Sequence, residues 1–247
     1  MKQLKMEELG KFVEANIESF HNSRLQTLEK ASLKDLLCRK NPYLYRAKHI
    51  VTAPELVSSL LEAKLSSSEE EIFGNFLEEV AIFVAGKTKG AKKSSAKGID
   101  FEYSEGKIRY LVAVKSGLNW GNSGQWSDLG NSFKAATRVL RQSRHVSHVE
   151  CILGASYGRA KSTTKKGFIR QVCGQAFWHL ISGKKSFYMD IVKPLGYRAK
   201  ELNDSFKSRK SELVNKFSGE FISEFCDRNG KILWEKIVEL NSGNLRE

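Results

Sequence analysis

The first third of the chain carries apolar residues at the three-to-four-residue spacing of amphipathic helices. This pattern runs through residues 1–40 and stops before Pro42. Residues 52–55 have the sequence of a capping box that opens a second helix, and residues 68–71 have that of a box that opens a third. We expect the third helix to end at Gly86.

Strand patterns follow in the middle of the chain. Residues 98–103 and 108–115 predict two short strands joined in a β-hairpin that turns at Glu105-Gly106. The continuous apolar run in residues 148–155 predicts a strand that is buried on both faces. Alternating apolar residues over 187–191 predict one more strand.

Helical patterns lie between these strands, at residues 127–141 and 168–182, and a charged helical region begins at Tyr197. This order predicts an α/β (α+β) fold, in which a mixed central sheet is flanked by helices and extended by helical ends. We expect three parts: a helical N-terminal region at 1–68, a core at 69–195, and a helical C-terminal region at 196–247 that is a candidate dimerisation surface.

An aspartate and a lysine stand where the predicted hairpin brings them to one edge. Residues two apart share a strand face, so Lys115 lies on the face of Leu111 and Ala113, and the predicted turn puts Asp100 opposite Leu111 on that face. Asp100 could hold a hard cation such as Mg²⁺, with the carbonyl of Val114 as another ligand. Lys115 could orient a water or offset charge on phosphate oxygens. This chemistry suits phosphodiester cleavage.

The charge balance points to a polyanionic partner. Lysine and arginine number 41 against 28 aspartates and glutamates, which gives a formal net charge of +13. Such an excess favours binding to nucleic acid, because lysine and arginine side chains displace counterions from phosphates.

Gly98-Ile-Asp100, followed by a hydrophobic strand that ends in Lys115, resembles the PD-(D/E)XK nuclease motif. Four longer segments resemble one family of short bacterial Type II restriction endonucleases, namely residues 41–48, 115–123, 173–178 and 194–196. The resemblance implies a restriction-endonuclease-like fold with a nuclease core. It also implies Mg²⁺-dependent cleavage of double-stranded DNA at a short palindromic site by a homodimer, and a cognate DNA methyltransferase that protects the host.

One position departs from this motif. The motif's second acid is expected two residues before Lys115, where the chain has Ala113. We expect Glu78 to replace that acid as catalytic residue and metal ligand, because it shares a helix face with Gly74, which would let the helix approach the sheet closely.

Three other carboxylates are alternatives to Glu78. Glu79 points about 100° away on the same helix. Glu102 shares a face with Asp100 but can pair with Arg109 across the hairpin. Asp128 opens the next predicted helix, where the helix dipole favours an acid. Each of these carboxylates alone has the alternative of being an ordinary surface residue.

Basic residues cluster in two predicted loops, at 87–97 and 158–167. Phosphate contacts are assigned to Lys87, Lys89, Lys92, Lys93, Lys97, Lys161, Lys165 and Lys166. Because arginine binds guanine bidentately and glutamine binds adenine, base readout is assigned to Arg159, Arg170, Gln171 and Gln175. Further DNA-binding candidates are Arg46, Lys48 and Asn119. For the 87–97 segment, a solvated linker is the alternative.

The sequence has neither a signal-peptide pattern nor an apolar stretch long enough to span a membrane, so we expect a cytoplasmic protein. The four cysteines are far apart and form no CxxC pair, which argues against a zinc ribbon. Two other functions remain open. Ala113 favours a DNA-binding protein without catalysis, and a repair or junction-resolving nuclease of the same superfamily would use the same core.

Overall fold

In the computed structural model, which describes residues 3–142 and 148–244, the middle of the chain forms a six-stranded mixed sheet. The strands are β1 Lys92–Lys93, β2 Phe101–Glu105, β3 Ile108–Lys115, β4 His148–Ala155, β5 Thr163–Lys165 and β6 Ile169–Cys173. Their order is β1-β2-β3-β4-β6-β5. β3, β4 and β6 are parallel, and the outer pairs are antiparallel. The predicted mixed sheet flanked by helices is confirmed.

Helices precede, connect and follow these strands, so the predicted helical ends are also confirmed. They are α1 Met6–Glu29, α2 Leu33–Arg39, α3 Pro42–Ala47, α4 Ala53–Lys89, α5 Ser123–Leu140, α6 Gln175–Ser182, α7 Phe187–Asp190, α8 Val192–Leu195, α9 Ala199–Phe225 and α10 Trp234–Ser242. None of the helices in the described ranges is both long enough and apolar enough to cross a membrane.

The chain divides into two compact units, which are described separately. The sheet unit contains residues 1–17 and 73–197, and the helical unit contains residues 18–72 and 198–247. The helical unit has a core of its own, in which leucines of α2 and α4 pack with phenylalanines of α9 and with Ile237 of α10. The functional division at residues 68 and 195 stays a prediction.

Helix α5 covers one face of the sheet and returns the chain from β3 to β4. The Asn122 side chain begins it with a capping box, accepting from the Gln125 N–H while Gln125 accepts from the Asn122 N–H. Leu129 and Phe133 pack on a core that includes Leu111 of β3. Because β3 and β4 are parallel, α5 runs back along the sheet, from the carboxyl ends of the strands to their amino ends.

The hairpin turns one residue later than the sequence pattern predicts. Glu105 pairs with Ile108, and the two residues between them form the turn. When the turn of a hairpin moves by one residue, each residue of one strand pairs with a residue two positions further along the other strand. Glu102, and not Asp100, therefore lies opposite Leu111. The predicted pairing of Asp100 with Leu111 is therefore wrong, and Asp100 lies just before β2.

Helix α4 is continuous where the sequence predicted two helices. The expected capping box at residues 68–71 is wrong, because the Ser68 hydroxyl donates to the Lys64 carbonyl inside the helix (3.2 Å). The helix also continues past Gly86 to Lys89. Lys87 and Lys89 are consequently helical residues, and Lys92 and Lys93 form β1, so the predicted place of these four lysines in a loop is wrong.

Two further element predictions are wrong. Residues 168–182 form strand β6 and helix α6 and not one helix, so Arg170 and Gln171 lie on a strand. Gly174, at a φ of +51°, separates the two elements. The expected strand at 187–191 is mostly the short helix α7.

Candidate active site

The carboxyl ends of three parallel strands lie side by side at one edge of the sheet, which we call the carboxyl edge. Lys115 of β3 pairs with Ala155 of β4, and Ala155 pairs with Cys173 of β6. The loops that leave these strands therefore begin in one row. In open α/β sheets, ligands bind outside this end of the strands.

The loops at the carboxyl edge are packed against one another. A Cβ atom at Gly117 would lie 2.6 Å from the Tyr157 ring, and one at Gly174 would overlap the carbonyl oxygen of Gly158. The Ser156 N–H donates to the Lys115 carbonyl oxygen (2.9 Å). These contacts hold the backbone at Lys115 and after it in a defined position.

Asp100 binds to the residues on both sides of Ala113. Its backbone N–H donates to the Val112 carbonyl oxygen (2.9 Å), and its carboxylate accepts from the Val114 N–H (2.6 Å). The Asp100 carbonyl oxygen accepts from the Ser94 N–H (3.1 Å). The Asp100 carboxylate is thus fixed beside β3, one residue from Lys115.

The Lys115 side chain lies over an aromatic ring. Its ammonium nitrogen is 5.4 Å from the centroid of Trp120, within the range of a cation–π interaction. Trp120 stacks on Trp126 of α5, with ring centroids 5.2 Å apart and an interplanar angle of 11°. The Trp120 indole N–H is buried and has no hydrogen-bond partner in the described part of the chain.

Glu78 is brought to the same place by the close approach of α4. A Cβ atom at Gly74, one turn earlier, would lie 3.3 Å from the Ser116 Cβ, so the glycine lets α4 approach the end of β3. Burial raises the pKa of the Glu78 carboxyl, and the nearby Asp100 charge raises it further. The Lys115 and Lys93 charges partly lower it.

Asp100 responds to the same two lysines. Burial raises the pKa of the Asp100 carboxyl above its ordinary value, while the Val114 N–H, Lys115 and Lys93 each oppose the rise. Two partly buried carboxylates thus share the field of two ammonium groups, and the Asp100 charge acts on Glu78. A group of this composition is typical of functional sites.

The oxygen atoms at this site fit a hard divalent cation. Glu78 and Asp100 supply carboxylates, and the Val114 carbonyl lies on the Asp100 side of β3, because the N–H and C=O of one strand residue point to the same side. Magnesium ions prefer such oxygen ligands and retain several waters. No cluster of three or more His, Cys, Asp or Glu side chains suited to a metal occurs within residues 3–142 and 148–244. The side chain of Ala113 is fully buried and has no atom that could bind a metal.

The other three acids considered from the sequence lie in different surroundings. Glu102 forms the ion pair expected with Arg109, at 3.0 Å. Glu79 is exposed on α4. Asp128 is exposed and lies inside α5, so its predicted place at the start of that helix is wrong. It lines a groove between α5 and the 94–97 loop.

The lysines of residues 87–97 do not form one cluster. Lys87 pairs with Glu8 (2.9 Å), and Lys89 pairs with Glu105 at the hairpin end of the sheet. Lys92, Lys93 and Lys97 are exposed. Of these, Lys93 on β1 is close enough to influence both acids of the site.

The second basic cluster is also divided. Arg159 and Lys161 are exposed in the loop after β4, and Asn119 is exposed in the loop after β3, all at the carboxyl edge. Gln175, at the start of α6, donates its side-chain N–H to the Lys185 carbonyl oxygen (3.1 Å).

Four of the assigned residues lie further from this edge. Lys165 pairs with Ile169 at the start of β6, and Lys166 follows it at the opposite end of the sheet from Lys115. Arg170 is exposed and Gln171 half-buried on β6.

Arg46 and Lys48 belong to the helical unit. Both are exposed, with Arg46 5.9 Å from the Trp234 ring centroid and Lys48 5.6 Å from that of Tyr45. The structure gives no further indication of their function.

The sequence did not identify Lys93 as a neighbour of the acids, nor Trp120 as the partner of Lys115. The Trp120 contact depends on a loop conformation that no periodic pattern encodes. Lys93 lies opposite Phe101, the residue after Asp100, and the sequence signal was a lysine in a two-residue edge strand, which is too short to recognise.

The chain was compared with known protein families. A family model described as Type II restriction endonuclease EcoO109I matches residues 7–203 of the 247-residue chain. No curated protein matched the chain.

Proposed function

The chain belongs to the Type II restriction endonuclease EcoO109I family, and we propose that it is a Mg²⁺-dependent enzyme that cuts double-stranded DNA at a short palindromic site. The observation that supports this proposal is that the Asp100 carboxylate accepts from the Val114 N–H beside Lys115, while Gly74 lets α4, the helix of Glu78, approach the end of β3. A nuclease needs acids for a divalent cation and a cationic group for the phosphate, and these three side chains supply both.

Asp100, Glu78 and the Val114 carbonyl would hold the cation. The Val114 N–H fixes the orientation of the Asp100 carboxylate, which leaves its second oxygen for the ion. When bound, Mg²⁺ supplies polarisation of the phosphate and acidification of a water. Burial favours this role. Burial and the Asp100 charge make the Glu78 carboxyl harder to ionise, and a cation beside both acids would stabilise their charged forms.

Lys115 would act on the phosphate or on the attacking water. Lys115 directly follows Val114, whose backbone N–H binds Asp100. The Trp120 ring contacts the Lys115 ammonium group without neutralising its charge. A positioned ammonium group stabilises negative charge that develops on phosphate oxygens.

The test is to incubate plasmid DNA with the purified chain and a divalent cation. Discrete fragments in Mg²⁺, absent with EDTA and absent for Asp100→Ala, are the expected result. Nicking restricted to branched or damaged DNA would indicate a repair or junction nuclease instead. Absence of any cleavage, with DNA binding retained, would overturn the catalytic proposal.

A DNA-binding protein without catalysis is the second candidate function. Ala113 supports it, because the motif acid is missing from a fully buried position next to Asp100. In that case, the residues at the carboxyl edge would bind DNA in the presence of Mg²⁺ but cut none.

We also propose a homodimer, because a two-fold protein matches a palindromic site and places one active site on each strand. Light scattering should then give twice the chain mass of 27.9 kDa.

A cytoplasmic enzyme of this kind needs a cognate methyltransferase, so methylated host DNA should resist cleavage.

A further inference from the structure

A cleft of about 720 Å³ lies between the C-terminal half of α5, the first residues of β4 and the turn that joins β5 to β6. Helix α5 contributes Lys134 and Arg138 to its lining, Arg141 follows at the C-cap of that helix, and Arg170 of β6 adds a fourth cation. Phe168 lines it from the β5–β6 turn, with the Lys134 ammonium 5.6 Å from the ring centroid. Cys151, a buried residue of β4, forms part of the lining.

This basic cleft lies toward the amino ends of the strands, away from the candidate active site. His148, at the start of β4, pairs with Ile108, whereas Lys115 pairs with Ala155 at the other end. Seven residues of strand, about 23 Å, separate His148 from that edge, and the lining residue of β6 nearest to it, Arg170, is three residues or about 10 Å from Cys173. A duplex bound at the carboxyl edge would therefore lie at the opposite end of the strands.

Three of these cations lie on one side of α5 and its C-cap residue. Lys134, Arg138 and Arg141 are spaced by four and three residues, and like charges at such spacings destabilise a helix. None of the three forms an ion pair in the part of the chain that the structure describes. The helix dipole favours cations in the last turn, but Lys134 lies well before that turn. An anion in the cleft would compensate their repulsion.

The spacing of these cations suits a chain of phosphates. From Lys134 to Arg141 the helix rises about 10 Å, more than a single phosphate group spans. The turn from which Phe168 lines the cleft carries two exposed lysines, Lys165 and Lys166. The one acid in the lining of the cleft is Glu150 of β4. It is half-buried, and its carboxylate oxygen lies 4.0 Å from the His148 Nε2.

We propose that the basic cleft binds the phosphate backbone of a second DNA segment, separate from the segment at the candidate active site. The inference rests on the proposed function in taking DNA as the polyanion. Lysine and arginine side chains spread along a helix match a continuous backbone, whereas a mononucleotide site would gather backbone N–H groups around one phosphate.

The experiment compares two triple variants of the full chain. The cleft variant is Lys134→Gln, Arg138→Gln and Arg141→Gln. The control variant, Lys30→Gln, Lys34→Gln and Lys236→Gln, removes the same charge from exposed positions of the helical unit. Binding of a short duplex is measured by fluorescence anisotropy across a salt series without divalent ions, together with the number of duplexes bound per chain at saturation.

The cleft variant should bind fewer duplexes per chain than the control, and the slope of log Kd against log salt should fall by about 2 to 3. Equal slopes and equal stoichiometry in the two variants would overturn the proposal. A second result would also overturn it, namely that inorganic tripolyphosphate raises the Tm of the wild type but not that of the cleft variant, while the two proteins bind the duplex equally. The cleft would then be a site for small anions.

Two further outcomes are separable. Dissociation of a dimer by the cleft substitutions would identify an interface between copies, and it would also overturn the proposal. Failure of the wild-type chain to cut DNA would contradict the proposed function alone, because the binding measurements need no cleavage. Melting curves check folding, and the cleft variant should be at least as stable as the wild type because like-charge repulsion is removed.

Discussion

The Asp100 carboxylate accepts a 2.6 Å hydrogen bond from the backbone N–H of Val114, and Val114 directly precedes Lys115. This bond ties the acid that precedes β2 to the strand that carries the lysine. It holds the carboxylate against the backbone of β3, so the position of Asp100 depends on the backbone next to Lys115.

Asp100→Ala should lower the cleavage rate by at least about 10²–10³-fold and leave DNA binding nearly intact. Asp100→Asn is the sharper variant, because its amide oxygen can still accept from the Val114 N–H while the negative charge is lost. Single-turnover cleavage and duplex affinity are the measurements. If Asp100→Asn cuts at the wild-type rate, Asp100 holds no cation in the reaction.

Trp120→Leu should lower the cleavage rate by about tenfold, because the Lys115 ammonium loses an interaction worth about 0.5–2 kcal/mol that holds it over the site. Trp120→Phe keeps an aromatic face and removes a buried N–H that lacks a partner, so it should keep most activity. Cleavage rates of both variants at saturating DNA check this. Equal rates for Leu and Phe would show that the ring does not position Lys115.

Much of the sheet could be predicted from apolar patterns, because strands buried on both faces must be apolar throughout. The bounds predicted for β3 and β4 are those observed. The pattern failed for β6, where the buried residues Ile169, Val172 and Cys173 have spacings of three and one that fit a helix as well as this strand. Pairing with β4, a long-range interaction, decides between the two.

The same ambiguity explains the error at residues 187–191. Phe187, Met189 and Ile191 alternate like a strand, but Phe187 and Ile191 are buried and Met189 is exposed, which is the four-residue spacing of a helix. At the site, the Gly74–Glu78 spacing correctly suggested a close approach of α4. The contact of Lys115 with Trp120 had no sequence signal, because it depends on how the loop after β3 folds.

Glu78→Gln should stabilise the protein at neutral pH in the absence of divalent ions. Burial and the Asp100 charge raise the folded-state pKa of Glu78, so its favourable contribution is present below the unfolded value and is lost as pH rises through the folded value. The glutamine side chain stays neutral at every pH. At pH values above the folded-state pKa of Glu78, the Tm of the variant should therefore exceed that of the wild type by about 2 °C.

This difference should shrink as the pH falls toward the ordinary glutamate value of 4.5, and saturating Mg²⁺ should reverse it by stabilising only the wild type. Melting curves at several pH values, with Glu79→Gln as the exposed control on the same helix, provide the measurement. A Glu78→Gln variant that melts below the wild type at neutral pH without Mg²⁺ would contradict this account of the site.

The exposed lysines Lys92, Lys93 and Lys97 should contribute more to DNA binding than Lys87 and Lys89, whose ammonium groups are already paired with Glu8 and Glu105. Neutralising the three exposed lysines to glutamine should weaken binding to all sequences and reduce the salt slope by about 2 to 3. The matched control, Lys87→Gln with Lys89→Gln, should reduce it by less than about 1.

Affinities measured across a salt series for duplexes of unrelated sequence decide this comparison. An unchanged slope in the triple variant would mean that the segment touches no phosphate. An equal slope loss per substitution in the control would mean that the two ion pairs open when DNA binds.

An acid introduced at Ala113 should partly replace Glu78. Asp100 is bound to Val112 and Val114, so residue 113 is the neighbour of its carboxylate along β3. Glu78→Gln should lower the cleavage rate by about 10²–10³-fold, and adding Ala113→Glu should recover at least about tenfold of it. Ala113 is fully buried in the core beneath α5, so a larger side chain there destabilises by about 1–3 kcal/mol, and a buried carboxylate with no cation beside it destabilises further.

The double variant Glu78→Gln with Ala113→Gln is the control, since it adds the same volume without the charge. Cleavage rates and melting curves are measured together at a temperature where all variants are folded. Recovery by glutamate and not by glutamine would mean that the two positions supply the same carboxylate to one cation. If Glu78→Gln alone cuts like the wild type, the missing motif acid is not replaced from α4, and the chain needs only Asp100 among these acids.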